Sequence, residues 1–171
     1  MLIKIETLVK GSGHLVLATC SGPCSGSCVG ARPHASLMRF AAAPETPGSG
    51  GPGGEFWLAT LPDTRKFANL RENPRASLLL DDRGLAGEPG LALTVEAELR
   101  PFADPPAGAR ARAGLLARHP DMAGFLALPT NADLVLSLTW ATADGIWRWA
   151  GDVATDWNHQ SKRVTLSGIL I

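Results

Sequence analysis

Residues 91–100 alternate: Leu91, Leu93, Val95, Ala97 and Leu99 fall on one face, and Thr94, Glu96, Glu98 and Arg100 on the other. That two-residue period predicts a half-buried strand. Residues 134–140 repeat it, with Leu134, Leu136, Leu138 and Trp140 on a common side. Shorter apolar runs at 15–20, 33–42, 56–60 and 76–81 predict four more strands. Residues 145–150, with Trp147 and Trp149 on one face, suggest a seventh. Helical spacing is rarer. Ile5, Leu8 and Val9 place an amphipathic helix ahead of Gly11. A second helix is predicted over 63–71, with Asp63 as N-cap and Asn73-Pro74 as its stop, because a residue before proline avoids the helical region. A third, over 109–118, runs into His119-Pro120. Six or seven short strands with peripheral helices predict a mainly β (α+β), antiparallel barrel rather than alternating βαβ units.

Composition refines this picture. The 171 residues suit a single domain large enough to bury its own core. Residues 44–54 hold eight Gly or Pro in eleven positions and are expected to form a flexible loop inside that domain. Residues 103–108 (ADPPAG) form a second soft stretch. Lys plus Arg number 16 and so do Asp plus Glu, which excludes a broad basic surface for nucleic acid. No apolar run approaches the roughly 20 residues of a membrane span. The N-terminus, with Glu6 and Lys10, lacks the apolar stretch of a signal peptide. The expectation is a soluble, cytoplasmic protein.

Chemistry concentrates at Thr60-Leu-Pro-Asp-Thr64-Arg65-Lys66. Two cations fall in the first turn of a predicted helix, where the helix dipole disfavours each by about 0.3–1 kcal/mol. Two readings fit the spacing. One is a solvated basic face. In the other, an anion sits at the helix N-terminus, and free N–H groups, the Thr60 and Thr64 hydroxyls, Arg65 and Lys66 converge on a phosphate.

The run F56-W-L-A-T-L-P-D-T-R-K-F-A-N-L-R-E-N-P-R-A-S-L-L-L80 resembles the pyridoxamine 5′-phosphate oxidase-like FMN-binding split β-barrels, with their Ser/Thr-Arg-Lys turn, short helix and Asn-Pro-Arg-x-Ser-Leu. Leu17-Ala18-Thr19 and Pro33-His34-Ala35-Ser36-Leu37-Met38 look like that family's first two strands, and residues 93–98 and 117–120 fit more loosely. The resemblance implies a split barrel that binds FMN between the subunits of a homodimer. It assigns Arg65, Lys66 and Thr64 to the phosphate, Ala59 and Thr60 to the phosphate and ribityl chain, and Ser36, Leu37 and Met38 to the strand beneath the isoalloxazine. The amine oxidases proper place Arg and Lys at the ends of that strand motif, where this chain has Ser36 and Ala41. Their C-terminal Arg-x-His signature has no counterpart here. The implied function is flavin-dependent oxidoreduction of an unidentified small molecule.

Other functions stay open beside it. The Pro-His-Ala-Ser-Leu strand also resembles haem-utilisation barrels, and a non-catalytic flavin electron carrier is a further alternative. Cys20, Cys24 and Cys28 lie in a Gly/Ser-rich stretch at C-x3-C-x3-C spacing. An odd count over so short a span argues against a disulfide framework. Ordinary reduced cysteines fit this spacing, and so does a metal module completed by His14, His34 or a partner chain. His119 reads as a helix C-terminal residue, and His34 reads either as a substrate contact or as a solvent-facing side chain. Asp81-Asp82-Arg83 reads as a turn with a local ion pair. Four of the five tryptophans lie between Trp140 and Trp157, which suits an interface or flavin face as well as core packing. No Ser-His-Asp arrangement, HExxH, Walker or GxGxxG motif occurs, and no catalytic residue is assigned.

Overall fold

In the computed structural model, residues 2–22, 30–43, 55–81, 91–100, 105–129 and 135–148 are described. Helix α1 (Leu2–Gly11) precedes β1 (His14–Cys20), β2 (Pro33–Ala42) and β3 (Glu55–Ala59). Helix α2 (Arg65–Glu72), β4 (Arg75–Asp81), β5 (Leu91–Arg100) and helix α3 (Pro105–Arg118) follow. A 3-10 turn (Pro120–Met122), a short helix α4 (Ala123–Leu126) and β6 (Val135–Arg148) complete the described chain. The strands pair antiparallel throughout and close a barrel in the order β1-β2-β3-β6-β5-β4.

Alternation along the strands builds the interior. Leu15, Leu17, Met38, Phe40, Leu78, Leu80, Leu93 and Val95 point inward and are buried, with Phe40 and Phe56 meeting edge to face at 5.5 Å. Leu8 of α1 and Leu70 of α2 join this core from outside the sheet. Strand β3 does not alternate: Phe56, Trp57, Leu58 and Ala59 are all buried. Its outer face is covered as well, since Trp57 and Ala59 pack with Ala41 beneath Ala111 and Leu115 of α3, Met122 and Leu126. The helix approaches so closely at Gly114 that a Cβ there would lie 2.3 Å from the Trp57 ring.

Among the described residues six strands form, where six or seven were expected. The two C-terminal runs, 134–140 and 145–150, are joined in one strand of 14 residues. Register shifts between Leu93 and Val95 and between Glu96 and Ala97 absorb the irregularity opposite its middle, as β-bulges let a long strand bend around a barrel without a turn. Trp149 lies outside the described residues, as do the 44–54 loop and Asp82-Arg83. Helix α3 starts earlier than expected, taking in the soft 105–108 stretch, because prolines are tolerated in a first helical turn where the N–H has no intrahelical partner. Helix α2 starts later, with Thr64 rather than Asp63 at the N-cap position. It ends at Glu72, with Asn73 at the C-cap position held extended (φ −137°, ψ 104°) ahead of Pro74, the stop that the sequence predicts.

Arg118, the last residue of α3, reaches the C-terminal end of α1, donating to the carbonyls of Val9 (2.8 Å), Lys10 (3.0 Å) and Ser12 (2.7 Å). Its guanidinium also sits 4.9 Å from the centre of the Phe40 ring, and burial pulls its pKa below the ordinary arginine value. His119 is buried, and its Nε2–H donates to the Phe40 carbonyl at 2.8 Å. It therefore closes a β2 carbonyl beyond the start of β1, a wider role than the helix-terminal one its sequence position suggests.

Candidate functional site

The β2–β3 ladder is short. It pairs Ala42 with Phe56, Ala41 with Trp57 and Phe40 with Leu58, and stops there, although β2 extends back to Pro33. The two strands diverge into a fork. Ala43 N–H donates to Glu55 O, so the odd-numbered residues of β2 direct their amides towards β3, and that of Leu37 faces the fork. An open cleft of about 360 Å³ occupies this place. It is lined by Leu37, Met38 and Arg39 of β2, Ala59, Thr60, Leu61, Thr64 and Lys66 of the β3–α2 connection, and Asp121, Met122 and Phe125.

The α2 end of the cleft is polar. Thr64 holds the N-cap position in an extended conformation (φ −84°, ψ 147°), yet its side chain makes no capping bond. Its hydroxyl donates instead to the Leu61 carbonyl at 2.8 Å. With that single proton committed, the 3.0 Å contact between Thr60 and Thr64 must have Thr60 as donor. Thr60 is buried, and no acidic residue lies in the first turn of the helix. The chain thus presents a helix N-terminus without a side-chain cap, two hydroxyls in contact and a half-buried Lys66 on one cleft wall. An anion fits this arrangement because it supplies the negative charge that the cap and first turn lack.

Of the eight residues assigned from the sequence, Leu37, Met38, Ala59, Thr60, Thr64 and Lys66 line this one cleft. Arg65 is exposed in the first turn of α2, outside the lining. Ser36 also falls outside it, with its hydroxyl 3.0 Å from His34 Nε2. Both face inward, like Met38 and Phe40, because side chains two apart share a strand face. Nearby, buried Asn69 of α2 donates to Thr19 Oγ1 at 3.0 Å, and Thr19 donates weakly to the His34 carbonyl at 3.4 Å. His34 is half-buried.

Sequence reasoning missed Arg39, Leu61, Asp121, Met122 and Phe125. Arg39 Nη1 pairs with Asp121 Oδ2, joining β2 to the 3-10 turn across 82 positions of sequence. The hydrogen bond from Arg39 holds the Asp121 carboxyl below the usual carboxylate range. Cys20 is a free, half-buried thiol, while Cys24 and Cys28 lie outside the described residues. Among the described residues no three His, Cys, Asp or Glu side chains gather into a metal-sized group.

This barrel, with a cleft in the fork between its second and third strands, is the architecture of the split-barrel class. The family model described as pyridoxamine 5′-phosphate oxidase matches residues 1–137, most of the chain, and the protein belongs to that family. A second model, described as COQ9, matches only residues 132–171. No curated protein matches the sequence. Among solved structures, HutZ, the haem storage protein of Vibrio cholerae, is similar at 18% identity and a TM-score of 0.58, over 85% of this chain and 92% of its own. General Stress Protein 26 of Bacillus anthracis str. Sterne is similar at 20% identity and a TM-score of 0.55, over 85% and 96%. A haem-binding protein of Mycobacterium smegmatis gives 15% identity and a TM-score of 0.58, over 93% of this chain and 55% of its own. At these identities the likeness is one of fold.

Proposed function

We propose that the chain binds FMN in the β2–β3 cleft and acts as a flavin-dependent oxidoreductase on a small molecule. The observation that carries this reading is the convergence of Thr60, Thr64, Lys66 and the N-terminus of α2 in a cleft whose opposite strand is Leu37–Met38–Arg39. Thr60, Thr64 and Lys66 would hold the phosphate. Arg65, exposed on the first turn beside them, would reach the same phosphate from the solvent side. The Leu37 amide faces the space for the heterocycle, and Met38, Met122 and Phe125 give that space apolar walls. The flavin supplies the electron transfer, and the protein supplies anchoring, orientation and a shaped cleft.

The same reading includes a homodimer. On the outer face of the sheet, Leu37, Val16 and Leu79 form one row across β2, β1 and β4, with Ala35, Ala18 and Ser77 in the next. Leu37 is 70% exposed and Leu79 is 38% exposed. Leu37 belongs to both this row and the cleft, so a second copy seated on the row would border the flavin.

Titration of FMN and of riboflavin, followed by fluorescence quenching, tests the reading. Each charge-assisted phosphate contact contributes about 1.5–3 kcal/mol, so Arg65→Ala/Lys66→Ala is expected to weaken FMN by at least about 100-fold and riboflavin far less. A wild-type chain indifferent to FMN overturns it. Two of the structural neighbours are haem proteins by name, which makes haem the second reading, marked by a Soret band in the purified protein.

A further inference from the structure

Arg39 has no place in the phosphate-binding scheme, yet it lines the same cleft. Odd-numbered residues of β2 point their side chains away from the barrel core, so Arg39 stands outside the interior, opposite His14 in the β1–β2 register. The structure pairs it with Asp121 through one contact, Nη1 to Oδ2. The rest of its planar fork is not engaged by that carboxylate. The Asp121 side chain is 62% exposed and that of Arg39 36%, so the acid is the member free to swing into solvent. Met38, Met122 and Phe125 line the cleft beside the pair, and a cation among apolar walls selects a ligand with an apolar body and one anionic group.

We propose that Arg39 is the receptor for a carboxylate on the substrate, and that Asp121 is an internal carboxylate occupying that receptor until the substrate displaces it. The proposal rests on the reading of the cleft as the ligand site. The exchange is balanced in charge: one carboxylate leaves Arg39 for water and another takes its place, with no bond made or broken. A neutral analogue makes no such exchange. It either leaves the Arg39–Asp121 pair in place and gains nothing from it, or breaks the pair without replacing it. Asp121 therefore sets a threshold that favours anions able to grip the guanidinium through both oxygens.

Benzoate and benzamide, matched in shape and differing in charge, are suitable probes, with binding measured by calorimetry on the FMN-loaded and the flavin-free chain. Wild type is expected to prefer benzoate. Asp121→Asn is expected to tighten benzoate by about tenfold, the order of one charge-assisted hydrogen bond, and to leave benzamide unchanged. This substitution keeps the shape of the side chain and gains affinity, so misfolding cannot imitate it. Arg39→Gln is expected to bring benzoate down to the level of benzamide, and Arg39→Lys to restore part of the difference. An unchanged benzoate affinity in Asp121→Asn, or equal losses of both probes in Arg39→Gln, overturns the proposal. Its failure is separable from that of the flavin reading. FMN binding without a benzoate preference removes only the Arg39 receptor. An Arg39-dependent benzoate preference in a chain that ignores FMN removes only the flavin.

Discussion

At the scale of single residues, two contacts govern the surroundings of the cleft. Gly114 is present because the Trp57 ring fills the space a Cβ would take. Gly114→Ala must push α3 off β3, and overpacking of this kind costs about 1–3 kcal/mol; urea denaturation is expected to show that loss despite alanine's better helix propensity. Asp121 responds to pH instead. Its folded-state pKa lies below the unfolded value because Arg39 donates to it, so its contribution is complete above the ordinary carboxylate range and disappears as pH falls through the depressed folded value. Wild type is expected to be more stable than Asp121→Asn at neutral pH, and the two acid-denaturation curves should converge at the acid end. The Ser/Thr-Arg-Lys turn and the threonines were legible through the contiguous motif that carries the family resemblance, since their spacing alone also fitted a solvated basic face. Arg39 and Asp121 were not, since nothing in either neighbourhood indicates a partner 82 positions away.

At the scale of elements, the helices are held by polar contacts as much as by apolar ones. Arg118 satisfies three carbonyls at the end of α1 while lying on Phe40. Arg118→Ala removes all of these at once and is expected to cost about 2–4 kcal/mol, given about 1.5–3 kcal/mol for hydrogen bonds to a charged group and about 0.5–1 kcal/mol for the cation–π contact. Hydrogen exchange of α1 amides should accelerate more than that of the β4–β5 ladder. Asn69→Ala leaves the buried Thr19 hydroxyl without its donor, a loss of about 1–3 kcal/mol in thermal or chemical denaturation. Most strands were legible because alternation is a local property, and Asn73-Pro74 marked the end of α2 for the same reason. The single long β6 was not, because its continuity depends on bulges in the β5 pairing. The unbroken burial of β3 likewise reflects α3, whose position the local pattern does not encode.

At the scale of the molecule, the exposed row of Leu37, Val16 and Leu79 predicts self-association. Sedimentation is expected to give a dimer for wild type and a monomer for Leu37→Lys/Leu79→Lys, with FMN affinity falling in the monomer because Leu37 borders the cleft. The closure of the barrel also has a temporal side. The ribosome releases β1 to β5 before β6, and among the described strands only β6 joins β3 to β5, through pairs such as Phe56 with Leu138 and Leu99 with Leu138. Until Val135 and its successors emerge, a nascent chain holds a curled sheet with two open edges, each a template for pairing with a neighbouring chain. Synthesis halted before residue 135 should therefore yield a polypeptide that aggregates through those edges, and release of β6 is the event that turns an adhesive sheet into a sealed cylinder.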